Sequence, residues 1–338
     1  MVVEDLLVAV LGEACTTGIL ASVARSMEVC ALERPLPEAP VLPAQLAEAL
    51  GLALFAGLLD RVPSGAAYVE AKRALGDKVV FDHGALRTVL WAKNGALPAG
   101  RAAIARVLEP LGYVQQDVYP LPALRMTGYA YTHEQFPETL PQYFVSELHP
   151  EQFSTQFQAA VTSVLATSRE PLSNFDKWLF AKLATNGKLP FNEACALLKA
   201  AVGCFARQHD SPTLQAYDVL KAESSEMAWI ATEGNVFNHA TDRVADVVAV
   251  ADAQREAGRA IKALVEISAS SRVRQTALLA DKVSRNFVLA DGSLQAIQVR
   301  GSFYEFISRD CLPGSDALDL AFDSGNATGI FKVTAQQR

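Results

Sequence analysis

The chain has 338 residues, of which half are hydrophobic and a fifth are charged, and its formal net charge is −7. This composition is typical of a globular protein and excludes a disordered, collagenous or coiled-coil chain. The isoelectric point near 5.4 argues against nucleic-acid binding, because surfaces rich in Lys and Arg bind the phosphate backbone.

The cysteines and the first residues indicate the compartment. The five cysteines are widely spaced and form no Cys-x-x-Cys motif, which is typical of free thiols in a reducing compartment. The chain starts Met-Val-Val-Glu-Asp, with acids where a signal peptide carries basic residues. No uncharged apolar run reaches the ~18 residues of a membrane span. We therefore expect a cytoplasmic protein that is not inserted in a membrane, and its oligomeric state stays open.

The first part of the chain is predicted to be helical and then to change to strands. Apolar residues at helical spacing predict helices in Leu6–Ala24 and Ala44–Leu59, with a proline-rich linker at Pro35–Pro43 between them. A strand, a helix and three strands should follow, at Val79–His83, Ala99–Leu111, Tyr113–Tyr119, Ala123–Tyr131 and Tyr143–Leu148.

The second part of the chain is predicted to repeat this order of helices followed by strands. Helices are expected at Phe153–Ala166, Asp176–Ala184, Phe191–Gln208 and Thr213–Glu223. A strand, a helix and four strands should then follow, at Val236–Ala240, Val244–Ala257, Ala263–Ser268, Arg274–Leu279, Asn286–Val299 and Phe303–Ser308.

The two strand-rich blocks share a pattern. Each opens with His-x-x-x-Arg followed by a helix, at His83 in the first block and at His239 in the second. Each ends in a strand that carries an acid, Glu147 or Glu305, which follows its histidine by 64 or 66 residues. The shared order and spacing indicate an internal duplication of one strand–helix–strand unit.

Two such units packed edge to edge would bring both histidines and both acids to one cleft. Two imidazoles and one carboxylate suit Fe(II) and leave positions open for substrate and O₂. Zinc with the same ligands would polarise a carbonyl or activate water. One carboxylate is enough, so either Glu147 or Glu305 can be the ligand and the other can lie outside the metal's shell.

Further candidates surround these residues. Arg87 and Arg243 lie four residues after the two histidines, where an arginine can hold a substrate carboxylate through two hydrogen bonds. For Arg243 a salt bridge to a neighbouring acid is the preferred interpretation. His149 is a second metal-ligand candidate. Arg274 and Gln275 could line the cleft or could simply follow the alternation of a strand.

Three segments resemble a known family. Phe81-Asp82-His83-Gly84-Ala85-Leu86-Arg87-Thr88, Val145-Ser146-Glu147, and Glu233-Gly234-Asn235-Val236-Phe237-Asn238-His239-Ala240-Thr241-Asp242-Arg243 are similar to the 2-oxoadipate dioxygenase/decarboxylases, also called hydroxyglutarate synthases. The similarity extends from about Val79 to Ser308.

The resemblance implies a fold and a chemistry. It implies a vicinal-oxygen-chelate-like fold, with Fe(II) held by His83, His239 and Glu305; Zn, Ni or Mn could occupy the site in a preparation. Arg87 would contact the 2-oxo acid beside the two histidines, and Glu147 would orient substrate. The implied partners are a 2-oxo dicarboxylic acid and O₂, and the implied reaction yields 2-hydroxyglutarate and CO₂ from 2-oxoadipate in lysine catabolism.

The predicted fold class is α+β. Two βαβββ-type modules should form a curved mixed sheet around a metal cleft, with N-terminal and inserted helices. The expected divisions are a helical segment, a first module, a helical insertion, a second module and a tail, at 1–77, 78–150, 151–232, 233–310 and 311–338. Within the tail, Ser324–Phe331 could contribute to the substrate pocket.

Two other functions remain open. One is a Zn or Ni glyoxalase-type isomerase or hydrolase, which would be favoured if Glu147 joined as a fourth ligand. The other is a non-catalytic protein that binds a small molecule between its modules, which a dry, aromatic cleft without a metal would favour.

Overall fold

The computed structural model describes residues 1–34 and 40–322. Its α-helices are α1 Val2–Leu11, α2 Glu13–Ser22, α3 Met27–Leu32, α4 Pro43–Leu59, α5 Pro63–Ala74, α6 Ala102–Leu108, α7 Thr155–Leu165, α8 Asn174–Asn186, α9 Phe191–Cys204, α10 Leu214–Glu223, α11 Ser225–Glu233 and α12 Val247–Glu256. Its strands are β1 Phe81–Val89, β2 Tyr113–Leu121, β3 Met126–His133, β4 Gln142–Leu148, β5 Phe237–Arg243, β6 Glu266–Ile267, β7 Val273–Ala277, β8 Lys282–Val288, β9 Leu294–Arg300 and β10 Phe303–Arg309.

Eight strands form one curled sheet in the order β2-β3-β4-β1-β5-β10-β7-β6. In the first half of the sheet β1 is parallel to β4, and in the second half β5 is parallel to β10. The halves meet where β1 and β5 run antiparallel. Each half has its helix, α6 or α12, directly after its first strand. The predicted α+β fold with a curved mixed sheet is therefore confirmed.

One face of the sheet, here called the helix face, packs against helix α4. This helix is apolar on all sides and almost entirely buried, as expected of a core helix. Its Phe55 ring lies 4.9 Å from the ring of Phe81 and 6.1 Å from that of Tyr304. In β1, Gly84 leaves room for the ring of Phe237, because a Cβ on Gly84 would lie 2.3 Å from it. The other face, here called the site face, carries the residues described below.

Two predicted elements are divided by glycines with positive φ. The single helix expected at Leu6–Ala24 is broken at Gly12, whose φ is +80°. The single strand expected at Asn286–Val299 is part of the hairpin β8–β9, which lies outside the main sheet. Its connection contains Gly292, at φ +83°, a conformation that favours glycine.

Other segments differ in kind from the prediction. Helices α3, α5 and α11 were not predicted individually, although they lie almost entirely in the helical segments expected at 1–77 and 151–232. None forms a clear apolar stripe in the sequence: α3 has six residues, α5 buries only Gly65, Tyr68 and Val69, and α11 is buried along nearly its whole length. Most of the predicted linker, 35–39, lies outside the described residues, as does the tail segment Ser324–Phe331. The division into segments and modules stays a prediction. In the part of the chain that the structure describes, every helix is too short or too polar to cross a membrane.

His209 predicts a pH dependence of stability. It is buried, its Nε2 donates to the carbonyl of Ala231, and burial lowers the pKa of His209 to about 4, with that hydrogen bond opposing. An unfolded histidine has a pKa of about 6.5, so the folded state disfavours the charged form. The stabilisation is therefore complete above pH ~6.5 and is lost as the pH falls through 4. Between pH 7 and 5 the loss should be about 2 kcal/mol.

Urea unfolding of His209→Gln at pH 7 and pH 5 tests this expectation. The variant should lose less free energy of unfolding than the native chain over the same pH interval. His133, whose pKa is also lowered to about 4 by burial, stays in the variant and continues to contribute. An unchanged pH dependence in the variant would contradict the assignment to His209.

Candidate metal centre

Three strands bring two histidines and one glutamate together on the site face. His83 lies in β1, His239 in the adjacent β5, and Glu305 in β10 beside β5. All three are buried, and one ligand atom from each lies within 4.8 Å of the others. The Oε2 atom of Glu305 is 3.3 Å from His83 Nε2 and 3.1 Å from His239 Nε2. These residues are called the triad below.

The charges in the triad are coupled. Burial alone would raise the pKa of Glu305, but the imidazoles of His239 and His83 outweigh it and hold this pKa well below its usual range. Burial lowers the pKa of His239, with Glu305 opposing. For His83, burial is outweighed by Asp82 and Glu305, so its pKa is raised. Glu305 is therefore an anion placed between two imidazoles.

A second carboxylate orients His83. The Nδ1 atom of His83 lies 2.8 Å from Asp82 Oδ1, and Arg309 donates to Asp82 through Nε and Nη2. Burial would raise the pKa of Asp82, but Arg309 and His83 outweigh it and keep this group ionised. Because a carboxylate only accepts, Nδ1 carries a proton, and the ring is held with its Nε2 atom toward the triad, 3.1 Å from Thr241 Oγ1.

The donor set fits a divalent transition metal. Two imidazole nitrogens and one carboxylate form the ligand set of non-haem iron sites, and zinc also accepts these ligands. The Oε1 atom of Glu305 is buried, and within the described residues it has no hydrogen-bond partner. Thr241 Oγ1 donates to Glu305 Oε2 at 2.8 Å. A metal ion among these atoms would compensate the desolvated carboxylate, so His83, His239 and Glu305 are the residues that could hold it.

Arg87 lies on the same face. It is four residues after His83 in β1, and alternate residues of a strand share a face. Its guanidinium is buried and lies 5.0 Å from the ring of Trp229. Burial lowers the pKa of Arg87 to about 10, with Glu226 opposing, so the group stays charged near pH 7. Its charge also contributes to lowering the pKa of His239.

Glu147 does not join the triad, contrary to the expectation that the two acids face each other. Its Oε2 accepts from the backbone N–H of Arg101 at 2.8 Å, and its Oε1 lies 3.5 Å from the Tyr129 hydroxyl. In the register of β1 and β4, Glu147 is opposite Thr88, which is an odd number of residues from His83 and therefore on the helix face. Glu147 as a fourth ligand would have favoured the glyoxalase-type alternative, and the structure does not bring Glu147 to the triad.

The other candidates also lie outside the triad. Arg243 donates to a backbone carbonyl and lies 3.8 Å from Asp82, which matches its salt-bridge interpretation. His149 Nε2 lies 2.8 Å from the Thr127 hydroxyl. Arg274 forms a two-pronged pair with Asp310 at the surface. Gln275 is buried in β7.

Sequence reasoning missed several neighbours of the triad, among them Thr241 and Phe322. The ring of Phe322 is perpendicular to that of His83, with the ring centroids 4.9 Å apart. The backbone N–H of Phe322 donates to the Tyr119 hydroxyl, and Arg309 donates to the carbonyls of Asp319 and Ala321. The chain after β10 thus returns over the site face. The sequence carries no signal for this contact, because it depends on the path of an irregular segment.

Comparison with known proteins gives one family. The model of a family described as "2-oxoadipate dioxygenase/decarboxylase" matches residues 58–332. A curated relative is the 2-oxoadipate dioxygenase/decarboxylase, chloroplastic/amyloplastic, of Oryza sativa subsp. japonica. It is 24% identical over 310 residues, covering 83% of this chain and 76% of the relative.

Solved structures share the fold. A protein from Ralstonia eutropha JMP134, assigned to the glyoxalase superfamily, is 48% identical with a TM-score of 0.90, covering 95% of this chain and 98% of that one. The hydroxyglutarate synthase of Oryza sativa, solved with 2-oxoadipate, is 22% identical with a TM-score of 0.67, covering 90% and 98%. The hydroxyglutarate synthase of Pseudomonas putida is 21% identical with a TM-score of 0.56, covering 87% and 75%.

Proposed function

Because the chain belongs to the 2-oxoadipate dioxygenase/decarboxylase family, we propose that it converts 2-oxoadipate and O₂ to 2-hydroxyglutarate and CO₂ with Fe(II) as its metal. The balance closes, since CO₂ leaves with the two oxygen atoms of the substrate's first carboxylate. One atom of O₂ enters the carboxylate that forms at the former keto carbon, and the other enters the new hydroxyl group. The observation that carries the proposal is the buried triad of two histidines and one glutamate.

The number of ligands favours an oxygenase over a closed metal centre. Three protein ligands leave coordination positions for a bidentate 2-oxo acid and for O₂. Bound at the triad, iron would supply a chelation point for the 2-oxo acid and the electrons with which O₂ is activated. Glu305 contributes one negative charge to the site, and both imidazoles can bind in their neutral forms.

The protein groups around the triad would bind and orient the substrate. A 2-oxo dicarboxylic acid is a dianion, and Arg87 offers a buried, planar cation on the same face as the triad. The ring of Trp229 packs against this guanidinium and limits its movement, so less entropy is lost when a carboxylate binds. Phe322 packs edge-on against the ring of His83 and would help to exclude water from that side of the site.

The role of Asp82 is to hold the proton on the Nδ1 atom of His83 and so to orient the imidazole ring. By accepting from His83 Nδ1 it fixes the ring so that Nε2, the atom that would bind a metal, is aimed at the triad. Arg309 keeps Asp82 ionised, so this orientation persists over the physiological pH range. A place in lysine catabolism and a cytoplasmic location stay predictions.

The test is oxygen consumption by protein loaded anaerobically with Fe(II). We expect uptake that depends on 2-oxoadipate, with 2-hydroxyglutarate and CO₂ formed in equal amounts, and no uptake by His83→Ala. Uptake with another 2-oxo acid would keep the reaction type and change the substrate. Absence of uptake with every 2-oxo acid, despite stoichiometric iron, would contradict the proposed function.

A further inference from the structure

The two halves of the sheet can be aligned residue by residue. In the first half, the register of the parallel pair β1 and β4 places His83 opposite Gln142. In the second half, the parallel pair β5 and β10 places His239 opposite Phe303. Since the two histidines are equivalent, Gln142 and Phe303 are equivalent as well.

This alignment gives Glu305 an unexpected counterpart. Glu305 lies two residues after Phe303, so its equivalent in the first half is Phe144, two residues after Gln142. Both positions follow the same alternation and therefore lie on the site face. The counterpart of the glutamate ligand is a phenylalanine, and it is not Glu147.

An independent contact supports the alignment. Five residues after Gln142 stands Glu147, and five residues after Phe303 stands Ser308. Glu147 accepts from the backbone N–H of Arg101 at 2.8 Å, just before helix α6. Ser308 accepts from the backbone N–H of Val247 at 2.9 Å, at the start of α12. Each side chain thus accepts a hydrogen bond from a backbone N–H at the start of the helix in its own half, as expected of equivalent residues.

The surroundings of Phe144 are apolar. Its ring lies 4.9 Å from that of Phe322, which itself contacts His83, and 5.7 Å from that of Tyr119. A Cβ on Gly128 would lie 2.3 Å from the Phe144 ring, so this glycine makes room for it. Phenylalanine offers no ligand atom, so this side of the triad presents an apolar wall.

We propose that Phe144 occupies the position of a fourth protein ligand and determines that the metal centre has three. A carboxylate at this position would complete a two-histidine, two-glutamate set, add a negative charge and take a coordination position from substrate or O₂. Such a set favours tighter binding of a non-redox ion such as Zn²⁺. The inference rests on metal binding by the triad, as the proposed function does, but does not depend on the substrate.

The test compares Phe144→Glu with Phe144→Gln, which has nearly the same size and no charge. Zn²⁺ affinity is measured by competition with a chromophoric chelator, and the visible absorption of bound Co²⁺ reports the number of ligands. We expect Phe144→Glu to bind Zn²⁺ at least about tenfold more tightly than Phe144→Gln and to change the Co²⁺ spectrum. Equal Zn²⁺ affinity and identical spectra in the two folded variants would overturn the proposal.

If Phe144→Glu alone fails to fold, a double variant can be used in its place. Glu305→Gln/Phe144→Glu has the native number of charges and moves the carboxylate from the second half to the first. It should regain most of the Zn²⁺ affinity that Glu305→Gln loses. No regain in a folded double variant would overturn the equivalence of the two positions.

The outcomes separate this proposal from the proposed function. A native protein that binds metal but consumes no O₂ with any 2-oxo acid would contradict the dioxygenase reaction and leave the role of Phe144 standing. A native protein that binds no divalent metal would contradict both.

Discussion

Replacing Glu305 by glutamine should lower the affinity for divalent metal by at least about a hundredfold and remove 2-oxoadipate-dependent O₂ uptake. The amide keeps the size of the side chain and can still accept from Thr241. It loses the negative charge between His83 and His239, which is the only charge the triad offers to a dication. Metal content after dialysis against a defined free-metal concentration measures the affinity, and an oxygen electrode measures uptake.

Glu147→Gln is the matched control. Glu147 is also buried and also lies in the last strand of its half, but its carboxylate contacts Arg101 and Tyr129 on the helix face. We expect its metal affinity to stay close to that of the native chain. Equal loss of metal in Glu305→Gln and Glu147→Gln would contradict the assignment of Glu305 as the carboxylate ligand. It would indicate that loss of either buried glutamate lowers metal binding through the fold.

Replacing Asp82 by asparagine should lower the free energy of unfolding by about 3–5 kcal/mol, because it leaves a buried cation without its counter-ion. The side chains of Asp82 and Arg309 are 1% and 0% exposed. Arg309 donates to both carboxylate oxygens of Asp82, and the amide that replaces it presents an NH₂ group to one of these donors. Urea unfolding of the metal-free protein measures the loss.

Asp310→Asn serves as the control for this second variant. Asp310 also makes a two-pronged pair with an arginine, Arg274, but that pair lies at the surface, where water screens it. Its unfolding midpoint in urea should remain near the native value. A loss of stability as large as that of Asp82→Asn would mean that burial is not what makes the Asp82 pair important.

The duplication was visible in the sequence because its chemistry is repeated. His83 and His239 carry the same His-x-x-x-Arg pattern, and each precedes a helix. From that pattern the two histidines and a pair of candidate acids could be predicted, and the family resemblance favoured Glu305; His83, His239 and Glu305 lie together in the structure. The fold class followed from the same repeat, because a duplicated strand–helix–strand unit pairs its first strands at the centre of one sheet.

The choice of acid could not be made from spacing. The separations of 64 and 66 residues are similar, but the face on which a side chain lies depends on the parity of the strand register. Glu147 is displaced by three residues from the equivalent of Glu305, and an odd displacement turns a side chain to the opposite face. This displacement cannot be read from the separations of 64 and 66 residues, because they include loops whose lengths differ between the two halves. Contacts such as that of Phe322 with His83 are equally hidden, since they join segments 239 residues apart in sequence.

The central pairing of β1 with β5 has a consequence for how the protein is made. His83 is separated from the other two donors of the triad by more than 150 residues, and the three face one another only after both halves have docked. Such non-local pairing forms late and slowly during folding. A ribosome-bound chain that ends before Glu305 therefore cannot assemble the triad, and metal uptake by nascent chains of increasing length would report the moment at which the two halves meet.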